Sequence, residues 1–352
     1  MTDGVDALRV GIVGLGGIGT HHAHCLRRGE SVLAGGLDID ASAREQFRAE
    51  FGVDTYSDPE ALFSAVDAVV VTTPNAYHEE YAVPALEAGL SVLVEKPLAH
   101  TLESAERIAA AAADAPGICM VGFHNRFSPS VEALASYQQD DFFGAVQHVD
   151  ATYLRRRGIP GQGTWFTDAE VAGGGALIDI GVHALDLALY LTGFPDIVEV
   201  SGVTRSTFGD REDYIDVHDW GVADGVFSVD DSVTAQLRTA EGATISLDVA
   251  WAANREREKS LRIRGTDGGA YLDLDGGLTL YESSADGTDH HRTTDVTVGD
   301  GGGHEAEQAA FFEAVVAGEQ PALNTVYQAL TVQRVIDAIY RSAETGAAVR
   351  LD

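Results

Sequence analysis

The chain has 352 residues, which is enough for two domains of ordinary size, and 45% of them are apolar, which excludes wholesale disorder. Its 55 acidic and 23 basic residues give a formal net charge of −32. We therefore expect neither a nucleic acid nor an anionic membrane surface as a partner.

The basic residues are almost all arginine, because Lys96 and Lys259 are the only lysines in the sequence. An acidic protein with so little lysine and a normal apolar content is typical of the cytosol of a salt-loving organism, where high ionic strength screens self-repulsion. The alternative is an acidic protein from an ordinary organism. In either case a retained lysine merits inspection.

The two cysteines, Cys25 and Cys119, are too few for a disulfide framework or a zinc-cysteine site. The sequence suggests no metal site. The first residues are acidic and lack the basic start of a secretory leader, and no apolar run approaches the ~18 residues of a membrane span. The expected location is the cytoplasm.

Residues 1–124 are expected to form a domain of the α/β class, with a parallel sheet covered by helices on both faces, because short apolar strands alternate with helices. Strands are predicted at Leu8–Val13, Val32–Leu37, Ala68–Thr72, Ser91–Val94 and Cys119–Phe123. Helices are predicted after Gly19, then at Ala41–Phe51, Ala76–Ala88 and Leu102–Ala113.

Residues 125–352 are expected to form an α+β domain with an open, mostly antiparallel sheet. The predicted strands are rich in Val, Thr, Tyr and Ile and lie at Val146–Leu154, Val198–Phe208, Ser232–Arg238, Thr244–Ala250, Leu261–Arg264, Ala270–Leu274 and Leu278–Tyr281. The predicted helices are Ala176–Leu191, Glu305–Ala317 and Leu323–Ala343.

The first motif that predicts chemistry is the glycine turn Gly14-Leu15-Gly16-Gly17-Ile18-Gly19. It follows a strand and opens a helix, which is the context of a dinucleotide fingerprint. The first glycine permits the turn, Gly16 lets backbone amides approach a pyrophosphate, and Gly19 lets helix and strand pack closely. A structural turn that binds no nucleotide is the alternative.

Asp38 lies 19 residues after Gly19, at the end of the second predicted strand. A carboxylate at this place hydrogen-bonds a ribose 2′-hydroxyl and repels a 2′-phosphate. The expected cofactor is therefore NAD, with NADP possible.

The second motif is Glu95-Lys96-Pro97, at the carboxyl end of a predicted strand. Ligands bind at this edge of parallel sheets, so the Lys96 ammonium is placed to meet a substrate oxygen. A surface lysine before a turn proline is the alternative.

The third motif is a run of three glycines, 173–175, followed by Asp179 and His183. Residues four apart lie on one face of a helix, and a carboxylate can orient an imidazole that accepts a hydroxyl proton. An ordinary first-turn acid and a core histidine are the alternative.

Together these motifs resemble the glucose-fructose oxidoreductase and inositol dehydrogenase family, Gfo/Idh/MocA, over essentially the whole chain. The resemblance rests on Gly14–Gly19, Thr72-Thr73-Pro74-Asn75, Glu95-Lys96-Pro97 and the glycine run with Asp179 and His183. It implies a hydride transfer between a nicotinamide cofactor and a hydroxyl of a sugar, sugar derivative or cyclitol. The resemblance also implies that residues 1–124 are a Rossmann dinucleotide-binding domain and that residues 125–352 are a substrate-binding and oligomerisation domain. Its sheet would join the subunits of a homodimer or homotetramer.

By this resemblance the catalytic residues are Lys96, Asp179 and His183, which also bind substrate. Cofactor contacts are implied for the glycine turn, including Gly17 and Ile18, and for Asp38, Thr72, Pro74, Asn75, His78, Glu95 and Lys96. Either Lys96 or His183 takes the hydroxyl proton, while Asp179 holds both in place.

Two further residues are considered for the substrate. Trp165 could stack on a sugar face or simply pack beneath its loop, and Arg157 could reach a substrate or form an intersubunit ion pair. Two other functions stay open by the resemblance, an NAD-dependent glycosidase that acts by transient oxidation and a non-catalytic sugar-sensing regulator.

Overall fold

The computed structural model describes residues 7–209, 211, 213–215, 223–285 and 287–351. These residues form two compact units. The first comprises the chain up to His124 together with Gly302–Leu330, and the second comprises Asn125–Gly301 and Thr331–Asp352. The first unit is therefore built from two stretches of sequence, whereas the sequence analysis divided the chain once, after residue 124.

The first unit contains a six-stranded parallel sheet in the order β3-β2-β1-β4-β5-β6. This order reverses direction between β1 and β4, as in doubly wound dinucleotide-binding sheets. The predicted Rossmann fold is confirmed. The strands are β1 Arg9–Val13, β2 Val32–Leu37, β3 Asp54–Tyr56, β4 Ala68–Val71, β5 Ser91–Glu95 and β6 Cys119–Gly122.

Three helices of this unit, α2 (Ala41–Phe51), α3 (Pro59–Phe63) and α5 (Leu102–Asp114), begin at side chains that accept hydrogen bonds from free backbone amides. Asp40 accepts a hydrogen bond from the Ser42 amide at the start of α2, and Thr101 accepts one from the Ser104 amide at the start of α5. The helices that connect the strands are α1 Gly17–Leu26, α2 Ala41–Phe51, α3 Pro59–Phe63, α4 His78–Glu87 and α5 Leu102–Asp114.

Residues 302–330 complete the first unit at the free edge of β6. The Val121 amide donates a hydrogen bond of 2.9 Å to the Asn324 carbonyl, and Met120 forms an antiparallel bridge with Thr325. This pairing covers an edge that would otherwise expose unpaired backbone groups.

The second unit contains a nine-stranded sheet in the order β14-β13-β12-β11-β7-β10-β9-β8-β15. Neighbouring strands are antiparallel except β7 and β10, which are parallel, so the predicted mostly antiparallel sheet is confirmed. The strands are β7 Val146–Leu154, β8 Ile197–Arg205, β9 Ser232–Thr239, β10 Thr244–Ala250, β11 Glu258–Gly265, β12 Gly268–Asp273, β13 Gly277–Ser284, β14 His290–Val296 and β15 Val349–Arg350.

The longest apolar helical segment in the second half of the chain is a buried one. The stretch Ala169–Tyr190 is long and apolar enough to cross a membrane, but 83% of its apolar window is buried inside the protein, as in a core helix. It packs on β7, β10 and β11. The helices are α6 Pro129–Gln139, α7 Ala169–Ala172, α8 Val182–Tyr190, α9 Gly303–Ala317 and α10 Val326–Thr345.

The predicted helix Ala176–Leu191 is in fact a π-helical turn, Leu177–Gly181, followed by α8. The wider turn keeps the helical direction, so hydrophobic periodicity does not distinguish it from an α-helix. The sequence analysis also missed β3, α3, α6, α7, β14 and β15. All but α6 and β14 are five residues or shorter, and β14 is an exposed edge strand whose first six residues are polar, so apolar alternation gives no signal.

Candidate active site

The glycine turn joins β1 to α1 and is fixed by contacts with β4. Gly14 has a φ of +92°, and a Cβ at this residue would lie 2.9 Å from the Thr72 carbonyl carbon. A Cβ at Gly19 would overlap the carbonyl oxygen of Gly14. The Thr72 hydroxyl donates to the carbonyl oxygens of Val13 at 3.0 Å and Gly14 at 2.7 Å. Both glycines are therefore required by the protein's own packing.

Gly16 and Gly17 are different, because a Cβ at either residue would meet no atom within 4 Å. They form the N-terminus of α1, where free backbone amides and the helix dipole favour an anion. Ile18, which follows, is 38% exposed. The open backbone fits the pyrophosphate of a dinucleotide.

Asp38 lies at the end of β2 and contacts the glycine turn directly. Its Oδ2 accepts a hydrogen bond of 2.8 Å from the Leu15 amide, and its Oδ1 accepts one of 2.8 Å from the Asp40 amide. Arg44 donates to the carbonyl oxygen of Asp38 at 2.7 Å, so a guanidinium also lies at this corner. The carboxylate is positioned by two backbone amides.

The segments that follow β4 and β5 are joined by a buried histidine. His78 Nε2 lies 3.0 Å from the Thr73 carbonyl oxygen, and its Nδ1 lies 2.9 Å from the Pro97 carbonyl oxygen. Burial lowers the pKa of the His78 imidazole. In the segment between Thr73 and His78, Pro74 precedes a short helical turn and Asn75 is buried. The structure thus brings together the cofactor residues expected on both segments.

Glu95 is the last residue of β5 and its side chain is 8% exposed. It accepts hydrogen bonds from the Lys96 amide at 3.1 Å and from His22 Nε2 at 2.8 Å. Burial alone raises the pKa of Glu95, but the His22 hydrogen bond and the nearby His22, His304 and Lys96 lower it to about 2. Glu95 is therefore a carboxylate at neutral pH, and Lys96 beside it is partly exposed.

The sequence analysis did not identify His22 as a partner of Glu95. The two residues are 73 positions apart, and no motif in the sequence links them. The available signal was the His21-His22 pair directly after the glycine turn.

In the second unit the glycine run is held by a buried carboxylate. Asp230 accepts hydrogen bonds from the amides of Gly175 at 2.9 Å and Leu177 at 3.0 Å, and from the Tyr340 hydroxyl at 2.8 Å. Burial raises the pKa of Asp230. A Cβ at Gly174 would overlap the Tyr340 hydroxyl, and one at Gly175 would overlap the Asp230 carbonyl oxygen. The run thus fixes the start of the helical segment that bears Asp179 and His183.

Asp179 lies in the π-helical turn and contacts Trp251 and Arg155. The indole nitrogen of Trp251, which is fully buried, donates a hydrogen bond of 2.9 Å to Asp179 Oδ2. Arg155 Nη1 lies 3.7 Å from the same oxygen. His183 begins the α-helical part of the segment and is 7% exposed. Sequence reasoning missed Trp251, because nothing in a β-strand pattern links it to a residue 72 positions earlier.

Trp165 and Arg157 both have extensive contacts within the second unit. The Trp165 ring stacks on that of Phe166, with centroids 3.9 Å apart. Arg157 donates to Asn254 Oδ1 at 2.8 Å, and its guanidinium lies 4.8 Å from the Phe208 ring centroid. The substrate roles of Trp165 and Arg157 remain predictions.

Family models match both halves of the chain. Residues 8–123 match an oxidoreductase family with an NAD-binding Rossmann fold, and residues 131–271 match the GFO/IDH/MocA C-terminal domain.

Individual relatives extend over nearly the whole chain. A D-glucoside 3-dehydrogenase of Escherichia coli (strain K12) is 30% identical, with 98% of this chain and 97% of that protein covered. A D-xylose 1-dehydrogenase (NADP(+)) of Haloferax volcanii is 29% identical, with 97% and 99% covered. The solved structure of a levoglucosan dehydrogenase with NADH and levoglucosan has a TM-score of 0.84 and 25% identity, covering 98% of this chain and 99% of that one.

Proposed function

This chain belongs to the Gfo/Idh/MocA oxidoreductase family, and from that premise we propose that it transfers a hydride between NAD(P) and a hydroxyl of a sugar, sugar derivative or cyclitol. The observation that carries the proposal is the open backbone at Gly16 and Gly17, in the same unit as the Glu95-Lys96 pair. The relatives named above, which act on a glucoside, xylose and levoglucosan, support a carbohydrate substrate.

The preferred cofactor is NAD. The Asp38 carboxylate is held beside the glycine turn by two backbone amides and would repel a 2′-phosphate. A wild-type protein with a higher kcat/KM for NADP than for NAD would contradict this preference. Arg44 would then be the first residue to substitute, because its guanidinium lies at the same corner.

The bound cofactor supplies the hydride acceptor or donor, and the side chains supply alignment and proton transfer. In the oxidative direction His183 accepts the substrate hydroxyl proton, and the Lys96 ammonium stabilises the negative charge that develops on the oxygen. Asp179 orients these groups. Trp251 and Arg155 fix the Asp179 carboxylate, so it enters the reaction already positioned.

The aromatic face of Trp165 and the guanidinium of Arg157 are proposed to contact the sugar. Trp165 is already stacked on Phe166, which limits its ring to one orientation. Arg157 donates from Nη2 to Asn254 and from Nη1 to the carbonyl oxygens of Arg156 and Ala253, so both terminal nitrogens already have a protein partner.

The test combines a panel of candidate substrates with two lysine variants, one at the proposed site and one as a control. Free sugars, glycosides, polyols, inositols and sugar acids are screened for reduced cofactor by absorbance. Lys96→Met should then lower turnover by roughly two to four orders of magnitude and leave NAD binding within a few-fold. Lys259→Met is the matched control, because Lys259 pairs with Asp275 on the sheet at 3.2 Å. Near-normal turnover in Lys96→Met would refute the assignment.

We also propose a cytoplasmic homodimer or homotetramer that associates through the nine-stranded sheet and has no nucleic-acid or membrane partner. The net charge of −32 makes both folding and association dependent on screening, since the Debye length falls from about 30 Å at 0.01 M salt to about 3 Å at 1 M. Light scattering and melting curves in rising KCl should show a larger particle and a higher midpoint. If particle size and melting midpoint do not change with KCl concentration, the surface is not adapted to salt.

A further inference from the structure

Four of the chain's 12 histidines cluster together in the first unit, and two of them pair with the Glu95 carboxylate. His21 and His22 come from α1, His124 follows β6, and His304 comes from the first turn of α9. The His304 ring centroid lies 5.2 Å from that of His22 and 3.9 Å from that of His124. The nicotinamide chemistry proposed above makes no use of this cluster beyond Glu95 itself.

The side chains of His22, Glu95 and His304 hold possible ligand atoms close together. His22 Nε2 lies 2.8 Å and His304 Nε2 lies 3.8 Å from Glu95 Oε1, and the three ligand atoms are all within 4.8 Å of one another. Zinc binds imidazole nitrogen and carboxylate oxygen at roughly 2.0–2.2 Å, so small side-chain movements would complete three bonds. We propose that His22, Glu95 and His304 bind a divalent transition-metal ion of the Zn²⁺ or Co²⁺ type, with the fourth position left to water.

Burial distinguishes this group from an ordinary surface pair. The His22 side chain is fully buried and that of Glu95 is 8% exposed, whereas that of His304 is 19% exposed and provides the way in. His304 is thus the most exposed of the three proposed ligands.

Gln308 on α9 sets the proton position on His22. Its amide nitrogen lies 2.6 Å from His22 Nδ1 and 3.2 Å from the His22 carbonyl oxygen. Because a carbonyl oxygen only accepts, the amide nitrogen donates to both atoms, and His22 carries its proton on Nε2. Metal binding must move that proton to Nδ1 and turn the Gln308 oxygen toward it, as the outer partners of metal-bound histidines usually do. The loss of the Gln308 bond to the His22 carbonyl makes this a moderate-affinity site.

The experiment titrates the full-length, chelator-treated and nucleotide-free protein with Co²⁺. It follows the visible absorption that distinguishes four-coordinate from hydrated Co²⁺, with calorimetry for stoichiometry. We expect one ion per chain. His304→Gln and, separately, Glu95→Gln should each weaken binding by at least about tenfold. His304 is partly exposed, and the side-chain amide introduced by Glu95→Gln still offers an acceptor to His22, so both variants are chosen to keep the fold.

His24→Gln is the matched control, because His24 and Glu50 form a second histidine-carboxylate pair at 2.8 Å, but with both side chains 47% exposed. Its Co²⁺ affinity should equal that of the wild type. Absence of the four-coordinate absorption in the wild type, or equal affinity in His304→Gln and Glu95→Gln, would overturn the proposal. None of these readouts depends on the dehydrogenase activity, so the two proposals fail separately.

Discussion

The two glycine clusters of this protein look alike in sequence but serve different purposes. At Gly16 and Gly17 an added Cβ would meet open space. At Gly174 and Gly175 it would overlap Tyr340 and Asp230. The first cluster therefore leaves room for something that is not part of the chain, and the second leaves room for the chain itself. A glycine run in a sequence signals a close approach without saying what approaches.

The largest effect is expected from filling the second cluster. Gly175→Ala places a methyl group against the backbone carbonyl of Asp230, which cannot move without breaking the hydrogen bonds around Asp230. We expect the free energy of unfolding to fall by more than about 4 kcal/mol, or the protein not to fold. Urea denaturation of purified protein, or its soluble yield, measures this.

Gly17→Ala is the control for that substitution. It adds the same methyl group in open space at the start of α1, and alanine is favoured over glycine in a helix by roughly 0.5–1 kcal/mol. Its stability should match or exceed that of the wild type. A comparable loss in both variants would show that the distinction between the clusters is false.

Gly16→Ala should separate ligand binding from stability. Its backbone, with φ −72°, suits any residue, so the melting temperature should stay near the wild-type value. If the pyrophosphate occupies the open space, the methyl group should weaken NAD binding by about tenfold or more, the equivalent of ~1.4 kcal/mol. Fluorescence titration with NADH measures the affinity. Unchanged affinity would mean that the nucleotide does not approach this backbone.

The smallest effect concerns a single hydroxyl group. Tyr340→Phe removes the donor to Asp230 and retains the ring, so we expect a loss of about 1 kcal/mol in unfolding free energy. Tyr327→Phe, on the same helix but at a residue that is 59% exposed, should change stability by less than about 0.5 kcal/mol. If the two variants lose equal stability, Tyr340 does not support the second cluster.

Five of the six strands of the first sheet could be predicted from the sequence because each is encoded locally, whereas the three-residue β3 was missed. The apolar run of β1, the glycine turn and the cap of α2 lie within a few residues of the structure they determine. Motif spacing identified Lys96, Asp179 and His183 as candidates in the same way, and their catalytic roles remain predictions.

The supports of these residues could not be predicted, because they act across long sequence separations. Asp230 meets Gly175 from 55 residues away and Tyr340 meets Asp230 from 110 residues away. Trp251 reaches Asp179 from 72 residues away, and Gln308 reaches His22 from 286. Periodicity and turn chemistry carry no information about such pairs, since one chain offers many equally suitable partners.

The pairing of Asn324 and Thr325 with β6 affects the order in which the protein can fold during synthesis. The six strands of the first sheet leave the ribosome early, but the segment that covers their free edge follows only after the whole of residues 125–301. At about 5–20 residues per second the edge stays uncovered for on the order of ten to forty seconds. A nascent chain in that interval presents an exposed strand, and this is the stage at which chaperones would be most needed.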